Sequence, residues 1–337
     1  MSNFRVISSI LILLIACCSF SLAADSLTEL PHKAVERSQL TSPGSHPFVL
    51  KAKVAEITNP SNASYQAEIE EYWMAPNKWR RVVKTATFSE TLIVNGDKTS
   101  EQITGDYYSN WLRTIVAAIF DPGAVLKGVD LTRSSDNPMI GGSKVCRRFM
   151  FLAGIPPVSN KVFSSFCFNE GLLDFVAKPG YEAVYKNYKT FAGKHVARQI
   201  SEAIESGTVV EASIEELTEL KTPDESMFAI QDASAPLQTI RADESTLRSL
   251  VLNAPGIVWP TGHSGQDKGT LSLYVCVDRT GHPREIYELN SSNPGLSDAA
   301  RDQVMKWEFK PAVTQGVPVQ VESILTFAFN TAAANHK

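Results

Sequence analysis

The side chains that most often do chemistry are scattered along this chain rather than grouped. It has six histidines, His32, His46, His195, His263, His282 and His336. None has a cysteine, acid or second histidine at a spacing that builds a triad or a metal site. His282 follows Gly281 and reads as a solvated turn residue. Gly262-His263-Ser264-Gly265 misses the Gly-x-Ser-x-Gly elbow by one position and lies in a loop, so it reads as a connection. Glu68, Glu70 and Glu71 offer neighbouring carboxylates for acid–base work. Glu68 and Glu70, however, occupy the outward parity of an amphipathic strand, where a solvated face is expected. Neither glycine-rich phosphate loop occurs. The residues therefore predict a non-enzymatic protein with no catalytic group, no metal and no cofactor.

Cysteine chemistry is the exception. Of five cysteines, Cys17 and Cys18 fall in an apolar leader, which leaves Cys146, Cys167 and Cys276. Cys146 and Cys167 sit in strand-like runs at 144–153 and 161–169, joined by a loop holding Pro156-Pro157. A hairpin would set them side by side. A bridge across a loop of about 20 residues would add about 3 kcal/mol in the chain-entropy model. Two buried thiols fit the same pattern. Cys276 alternates away from Leu271, Leu273, Val275 and Val277, so it faces a helix or a partner.

Composition is that of a globular chain: 337 residues, 43% hydrophobic, 20% charged, formal charge −4. The length suggests about two domains, and nothing favours nucleic acid, which wants clustered Lys and Arg. Residues 1–24 read as a signal peptide: Arg5, an apolar stretch from Val6 to Ala16, then Ser21-Leu22-Ala23-Ala24. A periplasmic or secreted protein is expected. Leu14-Ile15-Ala16-Cys17 also resembles a lipobox, which would anchor the chain by a lipid on Cys17.

The elements that would position any site follow from periodicity. A polar, loosely held arm is expected over 25–47. Strands are predicted over 48–57, 65–74 and 79–86, with Ala67, Ile69, Glu71 and Trp73 sharing one face. Asn95-Gly96-Asp97 between 91–94 and 98–103 reads as a hairpin. The period then changes. Over 108–120, Trp111, Leu112, Ile115, Val116, Ile119 and Phe120 form a broad helical stripe ended by Asp121-Pro122-Gly123. More strands follow at 144–153, 161–168, 181–188, 195–204 and 208–217. A linker spans 229–240. The C-terminal stretch reads as strand, Asp278–Gly281 turn, strand, helix from Ser297, then a long strand with Val319, Val321, Ser323, Leu325 and Phe327 on one side. The fold class is α+β, a large antiparallel sheet with one inserted helix, then a small α+β domain over 241–330.

The last part resembles the C-terminal domain of TonB-family proteins. The resemblance is carried by Gly269-x-Leu271…Val277-Asp278-x-x-Gly281, Leu296-Ser297-Asp298-Ala299-Ala300, and Trp307-x-Phe309-x-Pro311-Ala312…Gly316-x-Pro318-Val319. Trp259-Pro260 stands where Tyr-Pro is usual. It implies an envelope or outer-membrane protein partner that adds a strand along Val319–Phe329 by main-chain hydrogen bonds. Self-pairing into a homodimer is the alternative. The stretch 221–238 before this domain, about twenty residues reaching about 65 Å at most, argues against a force-transmitting rod.

Residues 48–228 are similar to the LolA/LolB-like lipoprotein carrier fold. The likeness lies in Tyr72-Trp73-x-x-Pro76-x-Lys78-Trp79-Arg80, in Phe166-Cys167-Phe168-x-x-Gly171-Leu172-Leu173 with Asn169 where an acid is usual, and in 188–200. It implies a curved sheet whose mouth is covered by a helical lid, here 108–120. Acyl chains would enter beneath Trp111, Leu112, Ile115, Val116, Ile119 and Phe120, with Trp73, Trp79, Phe149, Phe151, Phe166 and Phe168 lining the hollow. Each buried CH₂ would contribute about 0.8 kcal/mol. Plain core packing of the stripe is the competing reading. The expected function is binding of a lipid-like ligand and of an envelope partner. The alternatives are a ligand-free structural or interaction module and a TonB-type component of outer-membrane transport.

Overall fold

The computed structural model describes residues 29–134, 139–141, 143–151, 163–178, 180–204, 207–230, 239–259, 268–293 and 297–330. The leader with Cys17, the loop with Pro156-Pro157, most of the linker, Gly262–Gly265 and His336 lie outside the described residues.

Helix α1 covers residues 29–38. It corrects the expectation of a loose arm. Ala34 and Leu40 are buried in the main core, and Leu30 packs against it. The apolar residues here are few and small, so their stripe is masked by charged neighbours. Polar ties add to the packing: the Lys194 ammonium donates to the Glu36 carbonyl and Arg37 to the Glu170 carbonyl.

Five strands follow, β1 (Phe48–Glu56), β2 (Ala67–Ala75), β3 (Lys78–Lys84), β4 (Ser89–Asn95) and β5 (Lys98–Thr104). Helix α2 (Asn110–Phe120) comes next, and then β6 (Val129–Ser134), β7 (Met139–Gly141), β8 (Lys144–Phe151) and β9 (Phe163–Asn169). The sheet is completed by β10 (Leu172–Lys178), β11 (Tyr181–Phe191), β12 (Lys194–Ala203) and β13 (Val209–Glu219). All 13 join one sheet in the order β5-β4-β3-β2-β1-β13-β12-β11-β10-β9-β8-β6, with β7 beside β8. Two antiparallel meanders are thus fused along the β1–β13 pair.

Alternation fixes the inner face: Phe48, Leu50, Ala52 and Val54 of β1 are buried, as are Ala67, Ile69, Glu71 and Trp73 of β2. On β13 both Ile214 and Leu217 are buried because the register shifts opposite Lys51/Ala52. That extra residue is a bulge, which resets the parity and bends the sheet. Strands β6, β7 and β10 are absent from the sequence expectation. For β10 the reason is its turn: Glu170 and Gly171 both have positive φ, 53° and 71°. That is the conformation of a two-residue hairpin, but Glu is an uncommon residue in it.

Cys146 and Cys167 face each other across β8 and β9 and are joined by a disulfide, with Cα atoms 4.0 Å apart. The paired Cys146→Ser/Cys167→Ser variant is expected to lose about 3 kcal/mol in urea unfolding, with an unchanged fold by circular dichroism.

The C-terminal part contains β14 (Ile240–Arg241), α3 (Glu244–Ser249), β15 (Val251–Asn253), β16 (Lys268–Val277) and β17 (Pro283–Ser291). It continues with α4 (Ser297–Val304), β18 (Glu308–Phe309), β19 (Ala312–Thr314), β20 (Val317–Val319) and β21 (Val321–Asn330). Its main sheet runs β14-β21-β16-β17. Leu271, Leu273, Val275, Ile286, Val321 and Leu325 form a core with Leu247 of α3 and with Ala300 and Val304 of α4. Trp307 belongs to this core but lies beyond α4. Gly281 is required at its turn: φ is +93°, and a Cβ would stand 2.0 Å from the Phe309 carbonyl oxygen.

The strand expected to offer its edge, 319–329, is divided. Val319 ends β20, Gln320 intervenes, and β21 lies second in the sheet order. Val319, Val321, Ser323 and Leu325 are buried and Phe327 packs against the core. Glu244 accepts from the Thr326 amide and Arg248 donates to the Thr326 carbonyl. Those two bonds occupy the outer edge of β21 where a strand would add, which leaves β17 as the terminal strand on the other side.

Candidate functional site

Helix α2 is the element around which the polar groups gather. Seven of its side chains are buried, Trp111, Leu112, Ile115, Val116, Ala118, Ile119 and Phe120. They share one core with the inner face of the large sheet, including Trp73, Phe149, Phe166 and Phe168. Trp79 is partly buried against the same core. The side chain of Phe151 lies outside the described residues. The structure therefore brings the predicted apolar residues together. It also packs the stripe tightly: Leu112 and Ile115 are each 0% exposed.

Both ends of α2 are held by other parts of the chain. At its C-terminus the Thr41 hydroxyl donates to the Phe120 carbonyl at 2.8 Å, and the Arg81 guanidinium sits 4.0 Å from the Phe120 ring centre. At its N-terminus Ser109 makes no side-chain cap. The Asn110 amide instead donates to both oxygens of Glu285, at 3.0 and 3.1 Å. A carboxylate there complements the unpaired amides and the positive end of the helix dipole.

Glu285 comes from β17, so a residue of the C-terminal domain caps a helix of the first. The same sheet face carries Tyr274, Cys276, Tyr287 and Glu322. Tyr274 and Tyr287 stack with ring centres 4.4 Å apart. Arg113 of α2 pairs with Glu322 at 3.3 Å and donates to the Tyr274 hydroxyl at 3.2 Å. Tyr274 in turn donates to Glu322 at 2.9 Å. Cys276 is a buried free thiol on this face, as its parity implied, and burial pushes it up to about 12. Its partner is the chain's own first domain.

Beside this contact opens a cleft of about 1130 Å³. Tyr65, Trp111, Leu112 and Tyr181 of the first domain supply apolar walls, and Glu285 to Glu288 of β17 supply the far side. Tyr65 meets Trp111 edge-on at 5.9 Å. Charged groups line it from both domains, Lys178, Glu182 and Glu202 from the first and Arg284, Glu285, Glu288 and Arg301 from the second. Burial, with Lys127 nearby, brings the Lys178 ammonium down to about 8. Burial drives the Glu202 carboxyl up to about 8, against the pull of the Thr114 hydroxyl. Thr114 Oγ1 lies 2.5 and 2.7 Å from the Glu202 oxygens, and 3.0 and 2.9 Å from the Asn110 and Trp111 carbonyls. The Thr114 hydroxyl donates to the Glu202 carboxyl and is shared with the helix carbonyls, which ties the floor of the cleft to the first turn of α2.

The room thus lies at the N-terminal end of α2 and extends to the second domain. Trp111 and Leu112 are the predicted residues that line it. Tyr65, Tyr181, Lys178 and Glu202 are additions. Only Glu202 left a trace in the sequence: it shares strand parity with Val196, Ile200 and Ile204. No group of three or more His, Cys, Asp or Glu that could hold a metal occurs among the described residues. No helix among them is long and apolar enough to cross a membrane.

Residues 264–331 match the family model for the Gram-negative bacterial TonB protein C-terminal domain. Solved structures align with about three-fifths of the chain at low similarity. A LolA superfamily protein from Nitrosomonas europaea aligns with TM-score 0.36 and 8% identity, covering 60% of this chain and 97% of its own. A DUF1329 family protein from Desulfovibrio piger aligns with TM-score 0.32 and 6% identity, covering 61% and 96%. LprF from Mycobacterium bovis aligns with TM-score 0.24 and 11% identity, covering 59% and 97%. No curated protein matches the chain.

Proposed function

We propose that this is a non-enzymatic, exported envelope protein that binds a lipid-like amphiphile in the cleft beside α2 and meets a protein partner through its TonB-like domain. The observation that carries this reading is the cleft itself, about 1130 Å³ with Tyr65, Trp111, Leu112 and Tyr181 on one side and charged groups on the other. The cleft sets apolar surface beside polar and charged groups, and in a ligand pocket the apolar part gives contact area while the polar groups fix orientation. An acyl chain would lie along Tyr65 and the exposed edge of Trp111, and its polar end would face Lys178 and Glu202. The family match over 264–331 supports the envelope setting. For the partner, β17 is the strand left to pair, because Glu244 and Arg248 occupy β21 at Thr326.

A dansyl-labelled fatty acid tests the ligand reading. The wild-type protein is expected to enhance its emission with saturable binding. Trp111→Asp should weaken that binding at least about tenfold, through lost apolar contact and a charge in the wall. Binding that is equal in the two proteins would remove the cleft from consideration. No binding to either would favour the alternative, an interaction module whose α2 stripe is simply core.

A further inference from the structure

We propose that the C-terminal domain is the latch of the cleft: its polar sheet face holds the first turn of α2 and the segment leading into it, and ligand exchange requires that face to let go. The regulatory part of this inference rests on the cleft being a binding site. The mechanical part does not.

Four attachments from one domain fall within residues 106–113. The Arg279 amide donates to the Asp106 carbonyl at 3.2 Å. Gln320, 0% exposed, uses both ends of its amide on Tyr108: its Oε1 accepts from the Tyr108 amide and its Nε2 donates to the Tyr108 carbonyl, each at 2.9 Å. Glu285 accepts from the Asn110 amide, and Glu322 and Tyr274 hold Arg113. Helix α2 supplies no cap of its own at this end. Its first turn is therefore satisfied by a domain more than 160 residues later in sequence.

The surrounding architecture suits a reversible hold. The C-terminal domain keeps its apolar core on the opposite face of β16, between that sheet and the helices α3 and α4. Separation would expose mainly hydrogen-bonding and aromatic groups and leave that core intact. The far end of α2 is fixed independently by Thr41 and Arg81. A pivot precedes the latched segment: Gly105 has φ +89°, and a Cβ there would stand 2.3 Å from the Thr87 carbonyl oxygen. Release at residues 106–113 would thus part β17 from the start of α2 and open the cleft on that side, while Trp111, Leu112 and the rest of the stripe stay seated in the core of the first domain. Opening of this kind is a local unfolding equilibrium, biased by whatever binds the latch face.

Hydrogen exchange on the full-length protein decides it. Glu285→Gln weakens the cap while keeping an acceptor, and Gln320→Ala removes both bonds to Tyr108. Each is expected to speed amide exchange across 106–116 about fivefold to tenfold, the change that losing a helix cap or a buried amide pair brings. Exchange in β1 and β13 should stay as in the wild type. Dissociation of the dansyl-labelled fatty acid should accelerate by a similar factor. Unchanged exchange over 106–116 in both variants would overturn the latch. So would a uniform rise that includes β1 and β13, since the two domains would then open as one unit. If exchange rises locally but no probe binds even the wild type, the latch stands and the ligand reading of the cleft fails.

Discussion

Replacing Arg81 with methionine is expected to destabilise the protein by about 3–5 kcal/mol, because it strands a carboxylate inside the sheet. Glu71 is 0% exposed and sits on the inner face of β2 between Ile69 and Trp73. Its Oε2 meets Arg81 Nε at 2.5 Å across the β2–β3 pair. Burial already raises the Glu71 carboxyl above its ordinary value, despite the attraction of Arg81. Removing the guanidinium leaves desolvation unopposed. The double variant Glu71→Leu/Arg81→Met should recover most of the loss, since a buried ion pair and an apolar pair of similar size differ little in net stability. Urea unfolding of wild type, single and double variants checks this. A single variant within about 1 kcal/mol of the wild type would mean that water reaches Glu71. The double variant should still bind the fatty-acid probe less well, because Arg81 also covers Phe120 and so seats the C-terminal turn of α2.

Glu71 also shows what could be read in the sequence. Strand parity placed it beside Ala67, Ile69 and Trp73, and those positions are buried as parity requires. The stripe of α2, the Cys146–Cys167 pairing, the Gly281 turn and the outward-facing Cys276 were legible for the same reason: each is a local pattern with a fixed period or spacing. The C-terminal elements were legible as well, though the last strand proved to be two, broken at Gln320, which turns its side chain to Tyr108.

What stayed hidden depends on long-range closure. That β1 pairs with β13, about 160 residues away, has no local signature. Nor does the seating of β17 against the start of α2, which makes Glu285 a helix cap. The cleft is bounded by Tyr65, Lys178, Glu202 and β17, four separate regions of the chain that only the assembled fold brings together. The arm is a further case. Its helix docks through Leu30 and Ala34, with Leu40 just beyond it, too few apolar residues to stand out in a charged segment.

Glu202→Gln should change the pH profile of stability more than any other conservative substitution at the cleft. In the folded protein the Glu202 carboxyl titrates at about 8, against an ordinary value of 4.5. A carboxyl raised in this way favours the folded state while it is neutral in both states, below about pH 4.5. Its contribution is then lost progressively as pH rises from there to about 8, where the folded form must also ionise. At about 1.4 kcal/mol per unit the full effect is on the order of 3–5 kcal/mol. Glutamine keeps the acceptor for Thr114 and cannot ionise. Wild type and variant should therefore melt at similar temperatures at pH 5 and diverge steadily, with the variant several degrees more stable by pH 8. Lys178 does not confuse this window. Its ammonium, lowered from 10.5 to about 8, relieves its own burial cost only above pH 8. Parallel melting curves for the two proteins from pH 5 to pH 8 would show that Glu202 is hydrated in solution. That result would also widen the polar floor of the cleft and favour a more hydrophilic ligand there. Divergence as expected would place a neutral acid and a cation on one wall, which suits an amphiphile whose polar end both accepts and donates hydrogen bonds.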